Sequence, residues 1–469
     1  MLDLTEFASD DTVQKNDYPI SHVANNEWRS FAMYTVESRA IPNMIDGMKP
    51  VQRFYVYSSI LNSKKDFKKV SAVSGIISDY GYNHGEASAA GSGQLMAAEW
   101  NNNLCLIEGR GSFGTRLIQE AGAPRYVYTR LHENFSTYIK DLELCPAHSD
   151  PEHEPPAFYL PVIPLVLANG TKGIATGFAT NILPRDPADL KRRCVEYIEN
   201  DKISRRPKVK FPEFSGKVEN DLEDKNKYIV YGTFNKKSKT VMEITEVPYG
   251  YDREGYVKVL DKLEEDNDIA GYEDLCDKTG FKFEVKLKQA TSANWNDAKI
   301  VQKFKLSKSF VENLTVIDQH GKLREYDDSR ELIKDFCDYR IGILQKRIEL
   351  RQQEYTEASR WLKVKMEFIQ AVLDDKIEFK NKTKKQVGTR IIATTTALSD
   401  DVDRLLRINI MSLTDEMVKE LAKDQEIIVK SLNDVLKKAQ EIGDEATVDM
   451  MIGRTEIHQK NGWMLRSSL

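Results

Sequence analysis

An arginine and a tyrosine stand in tandem in the segment APRYVYTRL, as Arg125 and Tyr126, with Arg130 four residues on. A phenol ionises near pH ~10, so making its anion at pH 7 costs about 4 kcal/mol at about 1.36 kcal/mol per unit. A neighbouring guanidinium and a divalent cation lower that cost, and both stabilise charge on a phosphorane-like transition state. Arg125 supplies the first, and the second would have to come from elsewhere. With 20 tyrosines in the chain, residue type alone assigns nothing. Two further segments carry matching chemistry. RAIPNMIDGMKPVQRF sets Arg39, Lys49 and Arg53 around a turn at Asp46-Gly47, and GYNHGEASAAG puts His84 in a loop of small residues. Three cations, an imidazole and an Arg-Tyr pair suit a scissile phosphate. Whether they meet depends on the fold.

The elements that must position them are legible in outline. NNLCLIEGRGSFGT reads as a short apolar strand running into a glycine turn, just upstream of Arg125. A loop rich in proline and acid follows at 146–156, then a run expected to be buried, FYLPVIPLVLANG. Residues 205–325 are richer in strand signals, with VMEITEVPYG and FKFEVKLKQA the clearest. After Asp328 the texture turns helical. Ser329 is a possible cap, and Leu332, Phe336, Tyr339 and Ile343 recur at helical spacing. A continuous helix over 329–375 would be about 70 Å long at ~1.5 Å per residue. A second helix is expected to begin at Thr414, with Asp415 and Glu416 in its first turn. Two long helices joined by a compact knob make an antiparallel coiled coil, although an ordinary helical bundle has the same periodicity.

Composition limits the function classes. A net charge of −5 argues against a surface that coats nucleic acid all over, but local cationic clusters occur at 64–69, 191–193 and 205–210. The bland reading of each is solvated surface. Five scattered cysteines with no CxxC pair suggest neither a disulfide framework nor a zinc site. No stretch approaches the ~18 apolar residues of a membrane helix, and the acidic start MLDLTEFASDD is no secretory signal. A reduced, cytoplasmic protein is expected, in the host cytoplasm if the source is viral. GRGSFG (109–114) formally matches a dinucleotide-binding turn, but AGAP at 121–124 leaves no room for the helix that turn requires. The acidic loop containing His148, Asp150, Glu152, His153 and Glu154 fixes no ligand geometry, so no metal site is expected in this chain.

RAIPNMIDGMKPVQR, GYNHGE, GRGSFGT, PRYVYTRL and NGTKGIATGFATNILP occur in the order found in type IIA DNA topoisomerases. The resemblance is to the subunit homologous to the A subunit of bacterial gyrase, and it covers about residues 28–440. It implies an α+β multidomain chain: an N-terminal arm (1–27), a winged-helix, CAP-like DNA-cleavage domain (28–165), a β-rich tower (166–328), a long antiparallel coiled coil with a C-gate dimerisation knob (329–442, knob about 376–413), and a tail (443–469). Residue by residue, it implies that Tyr126 attacks a DNA phosphate and that Arg125 stabilises the transition state. Arg39 and His84 assist. Lys49 and Arg53 line the cleaved strand, and Ile174 wedges between base pairs. Gln52 and Tyr82, expected to contact DNA as well, stand where gyrase-like chains carry histidines, and Phe54 replaces an arginine, so the cationic clamp is thinner here. By the same resemblance the chain acts on double-stranded DNA as a homodimer. Mg2+ is held mainly by a partner subunit with a Toprim fold, and ATP is bound by a partner ATPase subunit. Two rival readings remain. One is a coiled-coil scaffold that binds DNA without cutting it, and the other is a nucleotide-dependent enzyme built on GRGSFG.

Overall fold

The computed structural model describes residues 20–288, 295–408 and 415–441, with positions 451, 452, 455 and 459 beyond them. Thr414 and most of the tail lie outside the described residues. Two compact units divide the chain, 1–344 and 345–469, and the division falls inside the helix Ser329–Leu373.

The first unit opens with a helical run over 20–40 that alternates α and wider π turns, the last of these at Val36–Ala40. Residues 20–27, expected as part of an N-terminal arm, belong to this run. Next come helix Pro50–Asn62, strand β1 (Lys68–Lys69), helix Val70–Gly75 and helix Glu86–Ala97. Strands β2 (Ile107–Arg110) and β3 (Tyr128–Leu131) complete an antiparallel sheet in the order β1-β3-β2. Pro50 is well placed to start its helix, since its missing N–H falls where no intrahelical bond would form. The Gln52 side chain accepts from the Lys49 N–H (2.8 Å) and closes that end.

The turn ahead of this helix needs its glycine. Gly47 has φ +69°, and a Cβ there would lie 2.5 Å from the Val166 backbone nitrogen. Val166 belongs to the run expected to be buried. Phe158, Tyr159, Leu160 and Leu165 to Ala168 are indeed buried, in one core with Phe54, Tyr55, Val56, Val70, Val73 and Ile107.

Two strands follow as a hairpin, β4 (Thr171–Ile174) and β5 (Ala179–Ile182). Between residues 217 and 311 lie two further antiparallel sheets. One is ordered β12-β7-β6, from Ser307–Val311, Lys227–Tyr231 and Lys217–Asn220. The other is ordered β10-β11-β9-β8, from Ile269–Asp274, Phe283–Leu287, Val241–Glu246 and Thr233–Lys236. The two segments read as strands become β9 and β11. Their alternating burial puts Met242, Ile244, Phe283 and Val285 into a core against helix Arg253–Glu265. A last hairpin, β13 (Leu314–Ile317) and β14 (Leu323–Tyr326), leads into the long helix.

That helix runs Ser329–Leu373, 45 residues, beginning where the periodicity begins. Asp328 rather than Ser329 holds its start, accepting from the Arg330 N–H at 2.9 Å and from the Arg206 guanidinium at 3.0 Å. In the second unit, helices Lys384–Thr394 and Ser399–Leu405 share a core of Val364, Phe368, Ile369, Val387, Ile391 and Leu405. A two-point bond from Arg360 to Asp401 (2.7 and 2.9 Å) ties this knob to the long helix. A further helix covers Asp415–Glu441.

Candidate active site

Tyr126 sits on a turn that feeds β3, and the turn is held from several sides. Ser71 N–H donates to the Pro124 carbonyl (3.1 Å) and Val70 N–H to the Val127 carbonyl (3.0 Å). The Gln94 amide donates to the Gly122 carbonyl (2.6 Å), and Gly122 N–H donates to the Ser112 carbonyl (2.9 Å). The backbone is therefore fixed by two helices and the preceding loop, while the phenol stands clear at 72% exposure. A tyrosine ring left in water by a well-pinned backbone contributes little to folding. The Arg125 guanidinium, also exposed, lies 5.6 Å from the Tyr126 ring centroid. Arg130 plays a structural part instead. It forms a two-point ion pair with Glu108 (2.8 and 3.1 Å) over the Phe67 ring and braces β2 to β3.

A second group gathers around His84. Arg39 reaches its Nδ1 at 3.1 Å, and the Tyr34 hydroxyl lies 2.5 Å from its Nε2. Burial, then Arg39 and His153, hold the imidazole below the usual histidine range, favouring the neutral ring. Arg39 is exposed and carries no ion pair among the described residues, so its charge is available to an anion. Lys49 donates to the Lys172 carbonyl (2.8 Å), and partial burial lowers its pKa.

Lys172 belongs to the β4–β5 hairpin, whose tip carries Ile174, 79% exposed. Gly173 explains how the hairpin reaches the Arg39 helix: a Cβ there would sit 2.0 Å from the Ala40 carbonyl oxygen. Arg39, His84, Lys49 and the Ile174 hairpin therefore form one connected patch. The Arg125–Tyr126 turn is a separate group, and no hydrogen bond or ring contact joins the two among the described residues.

Three expected DNA contacts are placed differently. Arg53 is only 8% exposed, and its guanidinium is held by Asp46 (2.8 and 3.1 Å) and the Met48 carbonyl (2.7 Å). Tyr82 is also 8% exposed, packed between Phe54 and His84 with its hydroxyl on Ser88. Gln52 spends its carbonyl on the helix end. These residues support the patch from beneath. Tyr34 and Gly173 do not stand out in the sequence. Tyr34 lies 50 positions from its partner His84, and no local pattern announces such a pairing.

The acidic loop is a packed structure. The His148 and His153 rings lie 4.4 Å apart, His153 meets Phe54, and Glu154 accepts from the Tyr57 hydroxyl (3.1 Å). Among the described residues no three His, Cys, Asp or Glu side chains converge as a metal site. The GRGSFG turn joins antiparallel strands and opens no helix, so the dinucleotide reading lacks its βαβ context. Among the described residues no helix is long and apolar enough to cross a membrane.

Comparison with known proteins gives one answer. The family model for the A subunit of DNA gyrase/topoisomerase IV matches residues 39–453. The segments AMYTVESRAIPNMIDG and PPAFYLPVIP point more finely to the medium subunit of T-even phage topoisomerases. The DNA topoisomerase medium subunit of Enterobacteria phage T4 is 43% identical over 88% of this chain and 94% of that protein. DNA topoisomerase 2 of Candida albicans is 28% identical over 79% of this chain, which spans only 26% of that longer protein. Among solved structures, the DNA-binding, cleavage and re-ligation domain of Plasmodium falciparum topoisomerase II superposes with a TM-score of 0.78. It is 25% identical, over 95% of this chain and 65% of its own. A family match over most of the chain, a nearly full-length phage relative and a shared cleavage-domain fold agree: the chain belongs to the family of DNA gyrase/topoisomerase IV A subunits, within the type II DNA topoisomerases.

Proposed function

We propose that this chain is the breakage-reunion subunit of an ATP-dependent type II topoisomerase and that Tyr126 is its nucleophile. The observation that carries the proposal is an exposed phenol on a pinned turn beside an exposed guanidinium. The Tyr126 oxygen attacks a DNA phosphorus in line, the bond to the 3′ oxygen breaks, and a 5′-phosphotyrosyl ester and a 3′-hydroxyl result. One ester replaces another, so scission is nearly isoenergetic and reverses without ATP. Arg125 faces the charge that develops on the phosphoryl oxygens.

The order helix, β1, helix, helix, β2, β3 with sheet order β1-β3-β2 supports a winged-helix domain, with the nucleophile on the wing between β2 and β3. The sheets between 217 and 311 correspond to the tower. The two long helices correspond to the coiled coil that carries the C-gate, where two copies of the chain meet at about 400–415. Ile174 enters a base step and kinks the duplex, an unstacking that costs a few kcal/mol and is offset by wider wrapping. Arg39, His84 and Lys49 hold the bent strand from the same patch, with Arg53 fixing the turn beneath them. The described residues do not fit a bound metal, so no step here runs through one held by this chain. Mg2+ and ATP are assigned to partner subunits bearing the Toprim and ATPase folds.

The test is a denaturing gel after incubation with double-stranded DNA, a divalent metal and the partner subunits. Wild type is expected to give a covalent protein–DNA band and Tyr126→Phe none. A band that persists in Tyr126→Phe assigns the nucleophile elsewhere. DNA binding by wild type with no band at all would favour the scaffold reading.

A further inference from the structure

The hydrogen-bonding inventory around His84 fixes more than its position. Arg39 is donor-only, so the Nδ1 it touches must be an acceptor. A neutral imidazole then carries its proton on Nε2, which faces the Tyr34 hydroxyl. The Tyr34 oxygen is therefore the acceptor of that bond, and its own O–H is left to point elsewhere. Among the described residues the hydroxyl makes no other hydrogen bond, and Tyr34 is 36% exposed on the face that also presents Arg39. Arg39 lies in the wide turn Val36–Ala40 and sets its guanidinium 5.5 Å from the ring of Tyr34 in the preceding helical segment Arg29–Thr35. Tyr82 holds the other side of the imidazole, with ring centroids 5.4 Å apart and planes at 90°.

We propose that Tyr34 is a further catalytic residue, donating its hydroxyl proton in a hydrogen bond to a non-bridging phosphate oxygen of the DNA strand gripped by Arg39. The inference rests on the DNA-cleavage reading of the site. Arg39, His84 and Tyr34 form one chain of donors: guanidinium to Nδ1, Nε2–H to the phenol oxygen, phenol O–H to the phosphate. Charge on the phosphate strengthens the last bond, and the neutral imidazole keeps the phenol aimed.

The test is Tyr34→Phe in the holoenzyme, which removes one oxygen and keeps the ring contacts with Arg39 and His84. Single-turnover cleavage is expected to slow about tenfold or more, the usual scale for a lost donor to a charged group. Affinity for uncut DNA should fall by a smaller factor than the cleavage rate, and the melting temperature of the free protein should stay unchanged. In a double-mutant cycle, Tyr34→Phe combined with His84→Ala should lose little beyond His84→Ala alone, because the two act through one chain. Wild-type cleavage by Tyr34→Phe, or independent additive losses, would overturn the proposal. Wild-type enzyme that formed no covalent complex would instead sink the underlying cleavage reading.

Discussion

At the residue scale, the exposed groups proposed to meet DNA are distinct from the buried groups beneath them. Tyr126, Arg125, Arg39 and His84 are exposed, whereas Arg53 and Tyr82 are buried beneath the patch. Burial, Arg39 and His153 depress the His84 pKa, so the ring stays neutral at pH 7 and charges only below the ordinary histidine value of about 6.5. Protonation would place an N–H against Arg39 and remove the acceptor on Nδ1. The other rings packed against the imidazole are those of Tyr34 and Tyr82. Cleavage rate should therefore hold from neutral pH downward, then fall on an acid limb centred below the usual histidine range. That limb should vanish in His84→Ala, as a pH profile of single-turnover cleavage would reveal. The sequence showed which residue types gather in these motifs. It hid that Arg53 is neutralised by Asp46 and that His84 is bridged by Tyr34, because both facts depend on side chains aimed in three dimensions.

At the element scale, short rigid pieces do the positioning. Asp46 has a fully buried carboxylate that accepts from Arg53, Met48 N–H and Tyr159 N–H, locking the turn before helix Pro50–Asn62. Asp46→Ala would strand the Arg53 cation in the interior. A loss of about 3–5 kcal/mol is expected for a broken buried pair, visible as a clear drop in melting temperature; an unchanged melting curve would refute this role. The β4–β5 hairpin acts in the opposite way, presenting Ile174 to solvent. Ile174→Ala should leave thermal stability unchanged but reduce bending in an end-labelled duplex by energy transfer, and lower cleavage about tenfold if the wedge offsets a base-step unstacking. Full bending by the alanine variant would rule out the wedge.

Elements were more legible than contacts. Alternation marked β9 and β11, and helical spacing marked the start of the 45-residue helix, because both periods come from the backbone itself. The helical run over 20–40 starts inside the expected N-terminal arm, ahead of Trp28. Its apolar side chains, Trp28, Phe31 and Met33 among them, are exposed rather than gathered on a core face.

At the scale of the whole molecule, a chain of net charge −5 belongs to a family that acts on a polyanion. A confined cationic patch, as proposed around Arg39 and Lys49, would reconcile the two, since affinity for DNA depends on where cations cluster rather than on their sum. The proposed nucleophile calls for a stiff support, and the turn ahead of β3 is anchored on several sides. The most direct measurement is mass spectrometry of the tryptic peptide left attached to DNA after the holoenzyme is trapped in mid-reaction. Trypsin cuts behind Arg125 and Arg130, so the expected product is a single modified peptide running from Tyr126 to Arg130, with a 5′-phosphonucleotide on the Tyr126 oxygen. A nucleotide on any other side chain would contradict Tyr126 as the nucleophile.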